Sequence, residues 1–192
     1  MDTLQSPRVR AFLEAINSVH PLALKEPKVL AYQQSMLALL TKSTDEALSR
    51  SRPNAHFTVS AFIFSGSGDC LALFHRKLQR WLQPGGHVEE CDLTPLDGAI
   101  REAREESGLI DLSPLSVHPV DLDIHSIPER RKEAAHEHYD LRYALVTDAP
   151  HTAHLSDESS GIKWLQRAPL DQWRLSSASI DRPIKIGLTL LV

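Results

Sequence analysis

The spacing of apolar residues changes near residue 54, and this change constrains the fold more than any other feature of the chain. Before it, "PRVRAFLEAINSV" and "PKVLAYQQSMLALLTKSTDEAL" repeat apolar residues at helical spacing, and each opens with a proline, which suits a first helical turn. After it, "HFTVSAFIF" and "CLALFHRK" are rich in β-branched and aromatic residues and flank the turn sequence "SGSGD". We therefore predict a helical arm over residues 1–54 and a second unit over residues 55–192 that opens with a β-hairpin.

Three later segments also have the composition of strands. They read "LSVHPVDLDIHSI", "YDLRYALVTD" and "GIKWLQ". The segments "PLDQW" and "SSASIDRPIKIGLTLLV" predict a helical C-terminal end. Helices before, between and after the strands predict an α+β fold in which helices flank a mixed sheet.

Cap residues at both ends predict a helix in the middle of the chain. Thr94 is a suitable N-cap, Pro95 suits the first helical position, and Asp97 stands where the acid of a capping box reaches back. Gly108 suits the position just after the last turn. These caps predict a helix of about fourteen residues.

The predicted helix has an apolar arc and a neighbouring acidic arc. The apolar arc contains Leu96, Ala99, Ile100 and Ala103, and the acidic arc contains Glu102, Glu105 and Glu106. A solvated face with a pair between Arg101 and Glu105 is the simplest explanation of such a pattern. Three carboxylates on one arc repel each other, however, and binding of divalent cations explains the crowding better. The preceding "PGGHVEE" adds a glycine turn whose carbonyls are also ligands for such cations.

The stretch from Gly86 to Leu109, "GHVEECDLTPLDGAIREAREESGL", resembles the Nudix box. That pattern is a glycine, five residues, a glutamate, seven residues, and then Arg-Glu-aliphatic-x-Glu-Glu-x-Gly-aliphatic. Its second half matches without a gap, at Arg101, Glu102, Ala103, Glu105, Glu106, Gly108 and Leu109. The first half is one residue longer than the pattern, and the place of the first glutamate falls to Asp92 or Glu90.

The resemblance implies a Nudix-type α/β/α sandwich and an enzyme that hydrolyses acid anhydrides. Enzymes of this family cleave the pyrophosphate linkage of nucleoside diphosphate derivatives with Mg²⁺ or Mn²⁺. The implied metal ligands are the Gly86 carbonyl and the carboxylates of Glu102, Glu105 and Glu106, while Arg101 would orient Glu102. The general base is implied to be a glutamate of the box or an acid in a later loop, where Glu158 and its neighbour Asp157 are the candidates.

Other charged residues are candidates for contact with the substrate. Arg76, Lys77 and Arg80 precede the box and could receive phosphate oxygens, or could simply form a basic hairpin edge. In the "HEHYD" segment, the side chains of His136, His138 and Asp140 would share one face of a strand. They could contact phosphate, base or a metal ion, or form an exposed polar face, and we expect His138 and Asp140 to bind substrate.

The charge of the chain excludes some classes of partner. With 21 Lys and Arg against 25 Asp and Glu, the net charge is −4, so we expect neither a nucleic-acid polymer nor an anionic membrane as a partner. The start "MDTLQSPRVR" lacks the features of a secretory signal, which predicts a cytoplasmic protein. The resemblance implies that its partner is a small-molecule diphosphate substrate. For the helical arm, a lid, a homodimer contact and a substrate wall all stay open.

Two alternative functions belong to other classes. An isomerase of a prenyl diphosphate has the same fold but needs an active-site cysteine, and Cys70 and Cys91 give weak support for one. A non-catalytic nucleotide sensor is the other alternative, and such modules usually lose glutamates of the box. Because all three glutamates of its second half are present here, we favour the hydrolase.

Overall fold

The computed structural model describes residues 5–129, 134–157, 159–166 and 179–191. Its α-helices are α1 (Pro7–Asn17), α2 (Pro27–Ser43), α3 (Pro95–Ser107) and α4 (Asp181–Leu190). Its strands are β1 (Ala55–Ser65), β2 (Cys70–His75), β3 (Arg80–Leu82), β4 (Gly85–His87), β5 (Ser113–Pro114), β6 (Asp121–Ile127), β7 (His136–Thr147) and β8 (Ser159–Leu165). None of the helices in these ranges is long and apolar enough to cross a membrane.

The eight strands form one mixed sheet with β1 and β7 at its centre. The main order is β3-β2-β1-β7-β5, while β4 pairs with β1, β6 with β7 and β8 with β2. β1 and β7 run parallel, from Ala55 opposite Glu137 to Ser65 opposite Thr147, and the other pairings are antiparallel. Every residue of β1 is buried, as expected of a central strand that is covered on both faces.

Two helices cover one face of the sheet. Ala103 of α3 belongs to the same apolar cluster as Ala61 and Ile63 of β1. Nearer the start of β1, on the same face, the ring of Phe57 meets the ring of Phe12 from α1 edge to face, with 5.6 Å between centroids. The N-terminal helical arm therefore lies against the sheet beside α3.

The fourth helix covers the other face. Successive residues of a strand point to opposite faces, so Phe64 of β1 points away from α3. There it meets α4 at Gly187, where an added methyl group would collide with the Phe64 ring. Helices on both faces of a mixed sheet confirm the predicted fold class.

The predicted elements are recovered with some differences. The hairpin of β1 and β2, both N-terminal helices and α3 lie where the periodicity and caps placed them. The predicted strand "LSVHPVDLDIHSI" is only partly right, because β6 begins at Asp121. The short strands β3, β4 and β5 were not predicted, since two or three residues carry no measurable period. The predicted helical segment "PLDQW" lies outside the described residues.

Candidate active site

The helix α3 is held in place by caps at both ends. Thr94 Oγ1 accepts a hydrogen bond from the Asp97 N–H at 3.1 Å, and Asp97 Oδ2 accepts one from the Thr94 N–H at 2.9 Å, which completes the predicted capping box. At the other end, Gly108 has a φ of 69° and donates its N–H to the Arg104 carbonyl. The helix therefore starts and stops at defined residues, and this fixes where its acidic arc points.

Arg101 is the centre of the polar contacts of α3. Its Nε and Nη2 donate to the two carboxylate oxygens of Asp92 at 3.0 and 2.9 Å, and its Nη1 donates to Glu102 Oε1 at 2.9 Å. Nη1 also lies 3.3 Å from Glu105 Oε2, and Nη2 donates to the His87 carbonyl at 2.9 Å. One planar guanidinium thus joins two glutamates of α3 to the strand β4.

Asp92 lies inside this network, whereas Glu90, the other candidate for the first acid, is exposed. The Asp92 side chain is 3% exposed, and its Oδ2 also accepts the Glu89 N–H at 2.8 Å. An added methyl group at Gly98 would lie 2.9 Å from Asp92 Oδ2, so the missing side chain there accommodates the carboxylate. The longer first half of the motif therefore still places an acid against Arg101.

The N-terminal helix contacts the loop that precedes α3. Arg8 of α1 donates from Nε to the Asp92 carbonyl at 3.0 Å and from Nη2 to the Glu89 carbonyl at 2.6 Å. No local pattern in the sequence indicates this contact, because Arg8 and Asp92 are 84 residues apart. The helical arm therefore braces the loop that carries the acid bound by Arg101.

The glycines of β4 bring its backbone next to the glutamates. An added methyl group at Gly86 would lie 2.5 Å from Glu102 Oε1, and the Gly85 N–H lies 3.4 Å from Glu106 Oε2. Burial raises the pKa of Glu102, while the hydrogen bond and charge of Arg101 oppose that rise. The Glu102 side chain is 13% exposed and that of Glu105 is 58% exposed. This set of oxygen donors beside a bare backbone fits a hard divalent cation such as Mg²⁺ or Mn²⁺.

Two basic residues before the box border the turn between β2 and β3. Arg76 follows β2, and Arg80 begins β3. Arg76 donates from Nε to the Ser159 carbonyl at 2.9 Å, which ties the turn to β8. Arg80 is exposed at the start of β3. Substrate binding by these two residues stays a prediction.

Asp140 is buried in a network of its own. Its carboxylate accepts hydrogen bonds from Thr58 Oγ1 at 3.2 Å, Ser60 Oγ at 2.8 Å and Arg142 Nε at 3.0 Å. Arg142 in turn donates to Asp123 Oδ2 at 2.8 Å. Because Asp140 is 3% exposed and its oxygens are engaged by neighbouring strands, its geometry favours a role in holding Arg142 over direct contact with a substrate.

His138 lies among four other imidazoles. The rings of His56, His87, His125 and His136 have centroids 4.9, 5.2, 5.4 and 5.0 Å from that of His138. Burial, followed by the charges of these neighbours, lowers the pKa of His138 to about 2. His56, His87 and His125 were missed because they come from three separate strands and share no spacing in the sequence.

Of the two predicted candidates for a later base, only Asp157 lies among the described residues. Glu158 is outside them, and its neighbour Asp157 lies in an exposed turn just before β8. The described carboxylates of the candidate site therefore come from α3 and from the loop that leads into it.

Comparisons with known proteins identify the family of the chain. The family model of the NUDIX domain matches residues 54–184. A probable DHNTP pyrophosphohydrolase from Lactococcus lactis subsp. cremoris is 31% identical over 136 residues, which cover 70% of this chain and 79% of that protein. The structure of the E. coli dihydroneopterin triphosphate pyrophosphohydrolase superposes with a TM-score of 0.51 at 19% identity, over 67% of this chain and 92% of that one.

The family match covers more than half of the chain, and it contains α3 with its three glutamates and Arg101. The relative that shares nearly a third of its residues over most of both chains is named as a pyrophosphohydrolase. The resemblance seen in the sequence is thus confirmed, and the chain belongs to the NUDIX domain family as one of its hydrolases.

Proposed function

We propose that this enzyme hydrolyses the pyrophosphate linkage of a nucleotide or nucleoside diphosphate derivative and that it requires Mg²⁺, with Mn²⁺ as a substitute. The observation that carries the proposal is the fork of Arg101, which holds Asp92 and Glu102 beside the glycine backbone of β4. A pyrophosphate is polyanionic, and an acidic site binds it only when cations lie between the two.

The proposed cation ligands are the Gly86 carbonyl and the carboxylates of Glu102, Glu105 and Glu106. Two observations support these ligands. All of their donor atoms are oxygens, and Gly86 has no side chain where it faces Glu102. A divalent cation in such a site neutralises charge on the diphosphate and makes a water molecule more acidic.

The side chains around the ligands have separate tasks in this proposal. Arg101 fixes the orientation of Glu102, and Asp92 fixes the orientation of Arg101. A carboxylate takes the proton from the attacking water. Glu105, whose side chain is 58% exposed, and Glu158 are the two candidates for that base.

DHNTP is the first substrate to test, because the Lactococcus relative is named as a probable DHNTP pyrophosphohydrolase. Arg76 and Arg80 stay in the proposal as contacts with substrate phosphates or base, and His138 is a candidate for such a contact or for a ligand of a second metal ion. Asp140 is proposed only as support for Arg142, since both lie buried between strands.

The isomerase alternative finds little support in the structure. Cys70 is fully buried, and burial raises the pKa of its thiol, so it is poorly placed to protonate or bind a substrate. Cys91 is exposed in the loop before α3. Replacement of Cys91 by Ser separates the two functions, because a hydrolase should keep its activity in that variant.

The proposed function is tested with a panel of diphosphate compounds that includes DHNTP, nucleoside triphosphates and ADP-ribose, each with Mg²⁺, Mn²⁺ or EDTA. We expect turnover of at least one compound, dependent on the metal, with release of phosphate, pyrophosphate or a monophosphate. A folded protein that hydrolyses none of the compounds with either metal would contradict the proposal.

A further inference from the structure

Histidines from two parallel strands face each other at one end of the sheet centre. The register of β1 and β7 places His56 directly opposite His138, and His136 lies two residues earlier on the same face of β7. β1 is buried along its whole length, so the backbone under His56 is fixed by its neighbours. The imidazoles are therefore brought together by the sheet itself.

We propose that His56, His136 and His138 bind a transition-metal ion of the Zn²⁺ class, at a site separate from the oxygen ligands of α3. One ring nitrogen from each of the three histidines lies within 4.8 Å of the others. An ion at the centre of such a triangle would be at most about 2.8 Å from each nitrogen, and Zn–N bonds measure about 2.0–2.1 Å. Small side-chain rotations close that difference.

Contacts of the opposite ring nitrogens support the same assignment. His136 Nδ1 lies 2.9 Å from the Ala134 carbonyl and His56 Nδ1 lies 3.4 Å from the Arg52 carbonyl. A metal-binding histidine usually donates its second N–H to a carbonyl or carboxylate, because this fixes the tautomer and the ring orientation. In both residues Nδ1 faces a backbone carbonyl, the arrangement expected of a histidine that binds a metal through Nε2.

The two Nε2 atoms of β7 show where the ion would lie. His136 Nε2 and His138 Nε2 are 3.1 Å apart. This separation is close to the distance of about 3.3 Å between two nitrogens bound to one tetrahedral Zn²⁺. The third ligand, His56, comes from the neighbouring strand β1. Its ring stacks on that of His136 with 5.0 Å between centroids.

The proposed site differs from the Mg²⁺ site in donor type and in position. Imidazole nitrogens favour Zn²⁺, Ni²⁺ and Co²⁺, whereas carboxylates and carbonyls favour Mg²⁺. Gly86 faces Glu102, and the next residue of β4, His87, points to the opposite face, where its ring lies 5.1 Å from that of His56. His87 therefore lies beside the proposed site without belonging to the group of three ligands, and β4 separates the two sites.

The test measures Zn²⁺ binding to tag-free protein in excess Mg²⁺, by calorimetry and by the visible absorption of bound Co²⁺. We expect one Zn²⁺ per chain and the intense Co²⁺ bands of a tetrahedral site. His136→Ala and His138→Asn should each weaken binding at least about a hundredfold, because each removes a ligand. His151→Ala, at an exposed histidine outside the cluster, should leave binding unchanged.

The same titration of Glu105→Gln and Glu106→Gln separates this proposal from the proposed function. Zn²⁺ affinity should persist in both variants, even where hydrolysis is lost. Circular dichroism establishes that the histidine variants are folded. The proposal is overturned if wild-type protein binds no Zn²⁺, if His136→Ala binds it as the wild type does, or if the histidine variants change only the Michaelis constant for substrate.

Discussion

Arg101 and Arg104 have the same side chain on the same helix but different surroundings. The Arg101 side chain is 16% exposed and bonds to Asp92, Glu102 and Glu105, whereas Arg104 is exposed. The hydrogen bond to Asp92, together with the hydrogen bond and charge of Glu102, raises the pKa of Arg101 although burial opposes the rise, and this keeps the charge of Arg101 fixed. At the scale of residues, the environment built by the loop before α3 decides which arginine belongs to the site.

Replacement of Glu105 or Glu106 by Gln should reduce kcat/KM at least about a hundredfold, because each change removes a full charge at the proposed cation site with little change in shape. Glu14→Gln, an exposed position on α1, is the matched control and should keep its activity. Steady-state kinetics with a Mg²⁺ titration measures both effects. Activity within about threefold of wild type would mean that the two glutamates form an ordinary solvated face.

Arg101→Lys should lower metal affinity and turnover together. Lysine keeps the charge but loses the planar fork that bonds to Asp92 and Glu102 at the same time. Arg104→Lys on the same helix provides the control, since Arg104 is exposed. Mn²⁺ binding to both variants is measured by titration with electron paramagnetic resonance as the readout. An unaltered titration for Arg101→Lys would show that Glu102 does not depend on this fork.

At the scale of elements, α1 acts on the site through one side chain. Arg8 donates hydrogen bonds to two carbonyls of the loop before α3. Arg10, the second residue after Arg8 on the same helix, is exposed. This contact supports the loop that carries Asp92. It therefore gives the helical arm a role other than that of a lid or a dimer contact.

We predict that Arg8→Ala lowers kcat/KM by about tenfold, the scale expected when a side chain that orients a ligand is removed. The fold should persist, because Arg8 contacts only a surface loop. Arg10→Ala serves as the control. Equal activity of the two variants would assign Arg8 a purely peripheral role.

The elements differ in how far the sequence alone could define them. α3 was predicted to within a residue or two because its signals, Thr94, Asp97 and Gly108, are local. The sequence does not distinguish Asp92 from Glu90 as the partner of Arg101, because a loop of extra length can fold in more than one way. Of the histidine cluster, the sequence predicts only that His136 and His138 share a strand face, since the approach of His56 and His125 depends on the pairing of β1 with β7 and of β6 with β7.

At the scale of the whole molecule, the N-terminal helices and the sheet share one hydrophobic cluster. Phe12, Ile16, Met36 and Leu40 are fully buried, and they belong to the same cluster as Phe57 and Val59 of β1. The division at residue 54 therefore describes the order of elements along the chain, and the packing joins the two parts.

Phe12→Ala should lower the free energy of unfolding by about 3–5 kcal/mol, the usual cost of removing a buried aromatic ring from a core. Leu30→Ala is the control on the arm, because Leu30 is 45% exposed and should cost far less. Urea unfolding followed by circular dichroism measures the difference. Equal midpoints for the two variants would show that the arm does not contribute to the stability of the sheet.

The parallel pairing of β1 with β7 has a consequence for the order of events during synthesis. Ser60 and Asp140, which bond across this pairing, are 80 residues apart, so the ribosome completes β1 long before its central partner exists. Until residue 147 emerges, the apolar strand "AHFTVSAFIFS" has one open edge, and strands of this kind associate with other chains. We therefore expect fragments that end before β7 to expose this edge and to aggregate more than the full chain does, which light scattering of the purified fragments would measure.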